Sequence, residues 1–245
     1  MGYKFGRLPG VIPVGLRELP HYAAGSLPKP PAKVTVPLVT GDGDGTPWGV
    51  LGNDTEGDCG PAGLVHGFMG DAAITAEAES FPSADEVVNY YLTYTGGQDA
   101  GVVLSDFLAY VRSNGFSGHS VAAYAPVGVH DIPTLQFAVD AYGFAYTGIT
   151  VTSGMMNAFD AGKPWTVEDL FSETAGGHCV PLVGYDQHHL YAVTWGKVQP
   201  ITYPAWHFMS DEAWAVITGE FVAKGGDGRG ISLAALQADL GKVGK

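Results

Sequence analysis

Apolar residues in the first half of the chain recur at helical spacing. Residues 59–70 form a nearly continuous apolar run that predicts a buried helix, with Pro61 in its first turn, where no hydrogen-bond donor is lost. Ser83 followed by Glu86 forms a capping box, which predicts a helix over residues 84–93. The other predicted helices are residues 105–112, 131–143 and 233–240.

Beyond residue 145 the pattern changes to the alternation typical of strands. Strands are predicted at residues 145–151, 179–185, 190–195, 202–209 and 214–218. Because consecutive strands follow one another through short links, we expect an antiparallel sheet that is strongly twisted or barrel-like. Helices first and strands later predict an α+β fold, with an N-terminal helical subdomain packed on a C-terminal sheet.

The two ends of the chain follow neither period. Proline recurs through residues 1–45 too often for a helix or a central strand, and we predict an extended arm that lies along another surface. Its irregular apolar anchors are Leu8, Val11, Ile12, Val14, Leu16 and Leu19. The predicted division is therefore an arm over 1–45, a globular domain over 46–222, and a Gly-rich link with a short helix over 223–245.

Composition and charge limit the classes of function that the chain can have. With 46% hydrophobic and 15% charged residues the 245-residue chain is typical of a globular protein. The net charge of −13 argues against nucleic acid and anionic membranes as partners. No signal peptide and no transmembrane segment are expected. The Gly-Asp repeat at residues 41–45 lacks the further ligands of a calcium loop, so a hinge is expected there and no cofactor or metal is predicted.

The candidate nucleophile is Cys59, at the junction between a polar Gly-rich loop and the predicted helix 59–70. The positive end of a helix dipole favours a thiolate, so a lowered pKa is expected, although a lone cysteine is also a common core residue. Asn53, six residues upstream, is a candidate oxyanion donor together with the Cys59 N–H, and the alternative is a plain turn residue. Cys179 is expected in the core, and a disulfide with Cys59 stays open.

The candidate base is His178, which follows Gly176-Gly177 at the head of a predicted strand. His66 is an alternative, but the body of the helix should hold it too far from Cys59. The candidates for the group that orients the base are Thr194, Asp186, Asp58 and a backbone carbonyl.

In their order, these residues resemble the papain-like cysteine peptidases. That family has a Gln six residues before the nucleophile, a strand reading His-x-Val-x-x-Val-Gly-Tyr, and then Asn-Ser-Trp-Gly. Here the strand reads His-Cys-Val-Pro-Leu-Val-Gly-Tyr over residues 178–185. Three positions depart from the pattern: Asn53 replaces the Gln, no Trp follows Cys59, and Val193-Thr194-Trp195-Gly196 lacks the catalytic Asn.

A closer resemblance is to papain-like proteins of actinobacterial phages and prophages. It is carried by Trp-Gly-Val-Leu-Gly-Asn-Asp at 48–54, Gly-Asp-Cys at 57–59, Gly-Val-Val-Leu-Ser-Asp at 101–106 and Gly-Gly-His at 176–178. This resemblance implies a phage-encoded protein with a papain-like domain over 46–222, located in the virion or in the host cytoplasm. Its arm could then bind virion subunits.

Two functions follow as hypotheses. In the first, the chain is a thiol hydrolase, a peptidase or amidase, that attacks a peptide bond in a protein or in cell-wall peptidoglycan. In the second, it is a structural or assembly protein of the virion on a catalytically degenerate papain-like fold, as the missing third catalytic residue suggests.

Overall fold

A six-stranded antiparallel sheet forms one layer of the protein in the computed structural model, which describes residues 3–39, 47–75 and 80–243. In chain order its strands are β3 (Val121–Pro126), β4 (Ala145–Thr152), β5 (Thr174–Tyr185), β6 (His189–Thr194), β7 (Lys197–Thr202) and β8 (Ser210–Thr218). Their spatial order is β3-β8-β4-β5-β6-β7, which confirms the predicted antiparallel sheet, and its described part is open rather than a closed barrel. Ahead of it in the chain, β1 (Arg7–Leu8) and β2 (Val102–Val103) form a separate parallel pair.

Among the described residues, three α-helices precede the strands of this sheet in the chain and five lie between or after them, so the predicted order of helices before strands holds only for the first three, and the fold is α+β. The α-helices are α1 (Cys59–Thr75), α2 (Ala84–Tyr94), α3 (Leu104–Asn114), α4 (Ile132–Tyr142), α5 (Ser153–Asp160), α6 (Tyr203–Met209), α7 (Gly219–Ala223) and α8 (Leu233–Leu240). Short 3-10 helices lie at Leu19–Tyr22 and Val167–Leu170. The predicted helices 59–70, 84–93, 105–112, 131–143 and 233–240 are confirmed, and so is the capping box of Ser83 and Glu86.

One predicted strand is wrong. Residues 203–209 form helix α6, because Pro204 occupies the first turn and the Thr202 side chain accepts a hydrogen bond from the Ala205 N–H at 3.4 Å. The strand lies just before it, as β7 at the edge of the sheet, where Pro200 costs no ladder hydrogen bond to a further strand. The pattern also misses β3 and α5.

Helix α1 is buried on all sides over residues 59–72, which explains why its sequence has no polar face. Glycines let it approach its neighbours closely: Gly63 faces the Cys179 sulfur on β5, and Gly67 faces the Phe144 ring. Gly60 faces Val102 in the same way. This packing fixes the N-terminus of α1, and with it Cys59, against the middle of β5.

The N-terminal segment packs on its own chain over residues 3–39. Leu16 and Leu19 are buried in the core, whereas Val11, Ile12 and Val14 are exposed. Val34 forms a β-bridge with Tyr185. The predicted hinge at 41–45 and the boundary beside it lie outside the described residues, and the division at 45 and 222 stays a prediction. Within residues 3–39, 47–75 and 80–243, no helix is long and apolar enough to cross a membrane.

Candidate active site

A tight, self-bonded loop leads into the helix that carries Cys59. Leu51 and Gly52 both have positive φ values, 58° and 90°, and a side chain on Gly52 would overlap Val88. The Gly52 carbonyl accepts hydrogen bonds from the N–H groups of Thr55 and Glu56 at 2.9 and 3.0 Å. This turn holds the buried Asn53 beside the N-terminus of α1, where its Nδ2 donates to the Glu56 carbonyl at 3.2 Å.

The four sequence-predicted site residues come together. Asn53, Cys59, His178 and Thr194 line one small internal pocket, although they lie on a loop, a helix and two strands. The strands are β5, which carries His178, and β6, which ends at Thr194. The sequence therefore identifies a set of side chains that the fold places in one location.

The His178 imidazole is fixed through one nitrogen. Its Nε2 hydrogen bonds to Thr194 Oγ1 at 2.7 Å, and its buried Nδ1 has no hydrogen-bond partner among the described residues. The Thr194 hydroxyl lies one residue after the position of the Asn in the papain pattern. With Nε2–H donating to this hydroxyl, the Nδ1 lone pair is available as a base.

Trp195 covers the imidazole. Trp195 and Gly196 have φ values of 44° and 76°, and they form the two-residue hairpin turn between β6 and β7. The indole stacks on His178, with ring centroids 4.6 Å apart. The sequence predicted Trp195 as the end of a strand, and its place in the turn brings the ring over the site.

The Cys59 thiol is protonated in this conformation, contrary to the prediction of a lowered pKa. Burial raises the pKa of Cys59 to about 11, and hydrogen bonds from the backbone N–H groups of Cys179 and Gly6 offset only part of this effect. The cysteine is 1% exposed, so desolvation of the thiolate outweighs the favourable helix N-terminus. Burial, together with the smaller effects of the Arg7 and His66 charges, lowers the pKa of His178 to about 3.

The cover over the site comes from the chain's own N-terminal residues 3–8, which we call the N-terminal strip. Phe5 contacts the His178 ring edge-on, at a centroid distance of 5.7 Å, and Tyr3 stacks on Trp195 at 4.3 Å. Gly6 is buried, and a side chain at this position would overlap the Gly57 carbonyl oxygen. The N-terminal strip therefore occupies the cleft in front of Cys59 and His178.

The remaining candidates have other roles. His66 Nε2 lies 3.0 Å from both the Trp48 and the Gly49 carbonyl oxygens, which fixes that imidazole inside the loop region. Asp186 stabilises the turn between β5 and β6, because its carboxylate accepts hydrogen bonds from the backbone N–H groups of His188 and His189. Cys179 is buried as predicted, and both cysteines are free thiols. In the described ranges, no group of three or more His, Cys, Asp or Glu side chains could hold a metal ion.

Asp58, directly before Cys59, is a buried carboxyl group that the sequence offered only as an alternative orienting group. Burial raises its pKa to about 8, and the nearby Asn53 side chain and Asp58 backbone lower it only in part. Near neutral pH the Asp58 carboxyl is therefore mainly protonated, so it places no negative charge beside the Cys59 sulfur.

Two sets of residues at the site were missed from the sequence. The first is the N-terminal strip, for which the residue pattern gives no signal, because its contacts to the cleft are set by the path of the whole chain. The second is Asp211 with Glu212 at the start of β8, which contact Arg7 of the strip at 2.5 and 3.7 Å. Acidic residues at the start of the last strand of the sheet are a weak signal by themselves.

Comparison with known proteins supports the fold. No protein-family model and no curated protein matches the sequence. Among solved structures, the chain is similar to xylellain, a cysteine protease from Xylella fastidiosa, with a TM-score of 0.61 and 14% identity over 88% of this chain and 96% of that one. It is also similar to digestive procathepsin L 3 from the larval midgut of Tenebrio molitor, with a TM-score of 0.55 and 14% identity over 84% of this chain and 75% of that one. The chain therefore has a papain-like fold.

Proposed function

We propose that this protein is a papain-like thiol hydrolase that cleaves amide bonds in a protein or peptide substrate through Cys59 and His178. One observation carries the proposal: the thiol at the start of α1 lies in the same pocket as an imidazole whose Nε2 is held by Thr194 and whose Nδ1 is unpartnered among the described residues. That arrangement is what a nucleophile, a base and an orienting group require.

The proposed reaction has two steps. In the opened cleft His178 Nδ1 holds the Cys59 proton, the thiolate sulfur bonds to the substrate carbonyl carbon, and the Cys59 N–H with Asn53 Nδ2 stabilises the oxyanion. The proton then passes to the leaving amine, and a thioester remains on Cys59. Water attacks the thioester, which releases the acid and returns the thiol.

In this proposal the substrate replaces the N-terminal strip. With the strip in the cleft, both reacting groups are neutral, since the pKa of Cys59 is raised to about 11 and that of His178 is lowered to about 3. Departure of Phe5, Gly6 and Arg7 readmits water to both groups and removes the Arg7 charge that disfavours imidazolium. Opening of the cleft is therefore coupled to formation of a thiolate–imidazolium pair.

A second candidate is a structural virion protein on a catalytically degenerate papain-like fold. The observation in its favour is the filled cleft, since the N-terminal strip excludes substrate in the conformation described here. Packing of residues 3–39 on their own chain weakens the version in which this segment links neighbouring virion subunits. The phage origin common to both candidates rests on the sequence motifs alone.

Digestion of a complex peptide mixture tests the proposal. The wild-type chain and a Gly6→Val variant, in which the new side chain has no space beside the Gly57 carbonyl, are each incubated with the mixture, and products are identified by mass spectrometry. We expect products that disappear with Cys59→Ala and His178→Ala, and more of them from the Gly6→Val chain. Identical products from the Cys59→Ala chain, or none from the Gly6→Val chain, would refute hydrolysis through this site.

A further inference from the structure

We propose that this cleft selects substrates with an arginine side chain, which Asp211 and Glu212 bind in the position that Arg7 occupies here. This inference rests on the proposed function, because it names the substrate class of the same site. Its basis is that the N-terminal strip lies in the cleft as an extended peptide whose contacts reveal what the cleft can hold.

Glycines make room for the main chain of the strip. A Cβ built on Gly101 would overlap the Gly6 carbonyl oxygen, one on Gly177 would lie 2.5 Å from the Arg7 carbonyl oxygen, and one on Gly176 would lie 2.8 Å from the Phe5 side chain. A trough lined by residues without side chains lets a peptide backbone approach the walls closely. The lining is therefore suited to an extended peptide of varied sequence.

Backbone hydrogen bonds hold that peptide in register. The Val102 N–H donates to the Gly6 carbonyl at 2.7 Å, and the Lys4 N–H donates to the Asn53 carbonyl at 3.1 Å. Beyond Gly6, β1 pairs with β2 in parallel. Main-chain pairing of this kind supplies affinity without specificity, which leaves specificity to side-chain pockets.

A hydrogen-bond network holds the wall of the trough in place. Asp99 Oδ1 accepts hydrogen bonds from the Gly57 N–H at 2.8 Å and from the Tyr91 hydroxyl at 2.7 Å. The Tyr91 hydroxyl in turn accepts from the Gly101 N–H at 2.7 Å. Two of the glycines that face the strip are thus fixed by one polar network, independent of the strip.

The side-chain pocket beside this trough is acidic. Arg7 Nη2 lies 2.5 Å from Asp211 Oδ2, and Arg7 Nη1 lies 3.7 Å from Glu212 Oε2. Gly148 leaves space for the Arg7 stem, since a Cβ there would lie 2.8 Å from the Arg7 Cδ. The Arg7 side chain is only 5% exposed and that of Glu212 only 12%, so an uncharged or acidic side chain here would leave a carboxylate buried without a cation.

The pocket also contains polar atoms that the Arg7 position leaves without hydrogen bonds in the part of the chain that the structure describes. Arg7 Nε and Glu212 Oε2 are buried without a hydrogen-bond partner among the described residues. The pocket continues into a surface cavity of about 320 Å³ that Asp211 and Glu212 line together with Trp214. A substrate arginine that is not tethered within the chain can shift to satisfy both carboxylates, which favours exchange of the strip for substrate.

Peptide binding tests the inference without requiring turnover. The receptor is the full chain with Gly6→Val and Arg7→Ala, which vacate the cleft, and Cys59→Ala, which prevents reaction. The probes are a fluorescein-labelled Tyr-Lys-Phe-Gly-Arg-Leu peptide, the sequence of the strip, and the same peptide with uncharged citrulline in place of arginine. Fluorescence anisotropy gives both affinities, and calorimetry checks that each variant is folded.

We expect the arginine peptide to bind at least about tenfold more tightly than the citrulline peptide, as a charge-assisted hydrogen bond predicts. Asp211→Asn with Glu212→Gln should remove most of this preference. The control pair Asp85→Asn with Glu168→Gln changes two exposed carboxylates and should leave it intact. Equal affinities, no binding of either peptide, or a preference that survives the Asp211 and Glu212 changes would overturn the inference.

A cleavage assay separates this inference from the proposed function. The same Gly6→Val and Arg7→Ala chain with Cys59 intact is given both peptides. Cleavage that depends on Cys59 but not on the arginine would leave the hydrolase standing and remove the arginine pocket. Selective binding without any Cys59-dependent cleavage would support the pocket and remove the hydrolase.

Discussion

Among individual residues, Thr194 decides how His178 can act. Its hydroxyl holds Nε2 at 2.7 Å, and the Trp195 indole covers the same imidazole. A side chain that fixes one nitrogen of a histidine determines the tautomer and leaves the other nitrogen available for the reaction. Thr194 is thus a positioning residue in the proposed site.

Thr194→Val tests this role, because it removes the hydroxyl and nearly preserves the volume. We expect kcat/KM to fall about tenfold or more, the rate effect of roughly 1.4 kcal/mol of lost positioning. Thr194→Ser retains the hydroxyl and should restore most of the activity and the wild-type pH profile. A merely structural threonine would give the opposite pattern, with valine tolerated as well as serine.

The buried Asp58 carboxyl should make the stability of the protein depend on pH. Its folded-state pKa of about 8 lies above the ordinary value of 3.8, so the folded state holds the proton more tightly. The stability from this proton is complete below pH 3.8 and is lost as the pH rises through about 8. The wild-type free energy of unfolding should therefore fall, relative to Asp58→Asn, by up to about 1.4 kcal/mol per pH unit between those limits.

Urea unfolding of both chains at pH 5, 6 and 7 measures that difference. The comparison cancels the opposite contribution of His178, whose lowered pKa of about 3 reduces stability as the pH falls from 6.5 towards 3. Parallel stability curves for the two chains would mean that Asp58 is ionised in the folded protein.

Among the elements, α1 forms despite an unfavourable sequence. Glycine is a poor helix former, and α1 contains several glycines, so its stability comes from burial against β5 and its neighbours. The glycines are required for that packing, as Gly67 shows by facing the Phe144 ring directly. Local propensity and tertiary packing thus conflict in this helix, and packing decides.

Gly67→Ala should destabilise the protein by about 1–3 kcal/mol, even though alanine favours helices, because its Cβ would overlap the Phe144 ring. Chemical denaturation measures the loss. Gly25→Ala is the matched control, since a Cβ there meets nothing within 4 Å, and it should be neutral or slightly stabilising. Stabilisation by Gly67→Ala would show that this close approach does not exist.

The helices and strands also show how much of the fold could be predicted from the sequence. Strong periodic signals, such as the capping box at Ser83 and the apolar run after Cys59, predicted their helices correctly. The stretch 203–209 was misread, because its aromatic residues resemble a strand while Thr202 and Pro204 start a helix. Strand β3 was missed since alanines carry little strand signal.

For the site, the sequence predicted four candidate residues that the fold brings together, but it did not predict their protonation states. Asn53, Cys59, His178 and Thr194 were recognisable from a loop, a helix start and two strands, and they do line one pocket. The raised pKa of Cys59 was not predictable, because it depends on residues more than 50 positions away, which the fold brings into the cleft. Long-range burial of this kind leaves no trace in local patterns.

At the scale of the whole molecule, the path of the N-terminal strip controls the chemistry of the cleft. Phe5, Gly6 and Arg7 fill the space in front of Cys59, and they are held by the glycine trough and the acidic pocket. In the proposed hydrolase, the same contacts that keep Cys59 and His178 neutral are the ones that a substrate must replace. The central claim of the proposed function is therefore that vacating the cleft produces an activated Cys59–His178 pair.

Alkylation of Cys59 by iodoacetamide at about pH 6 tests that claim, since an ordinary thiol is almost wholly protonated there. Rates are measured by peptide mapping, which separates Cys59 from Cys179, in the wild-type chain, in the chain with Gly6→Val and Arg7→Ala, and in that chain with His178→Ala added. We predict slow labelling of the wild type, labelling of the vacated chain faster than that of a model thiol, and loss of this gain without His178. Labelling of the vacated chain no faster than the model thiol, with or without His178, would contradict the claim.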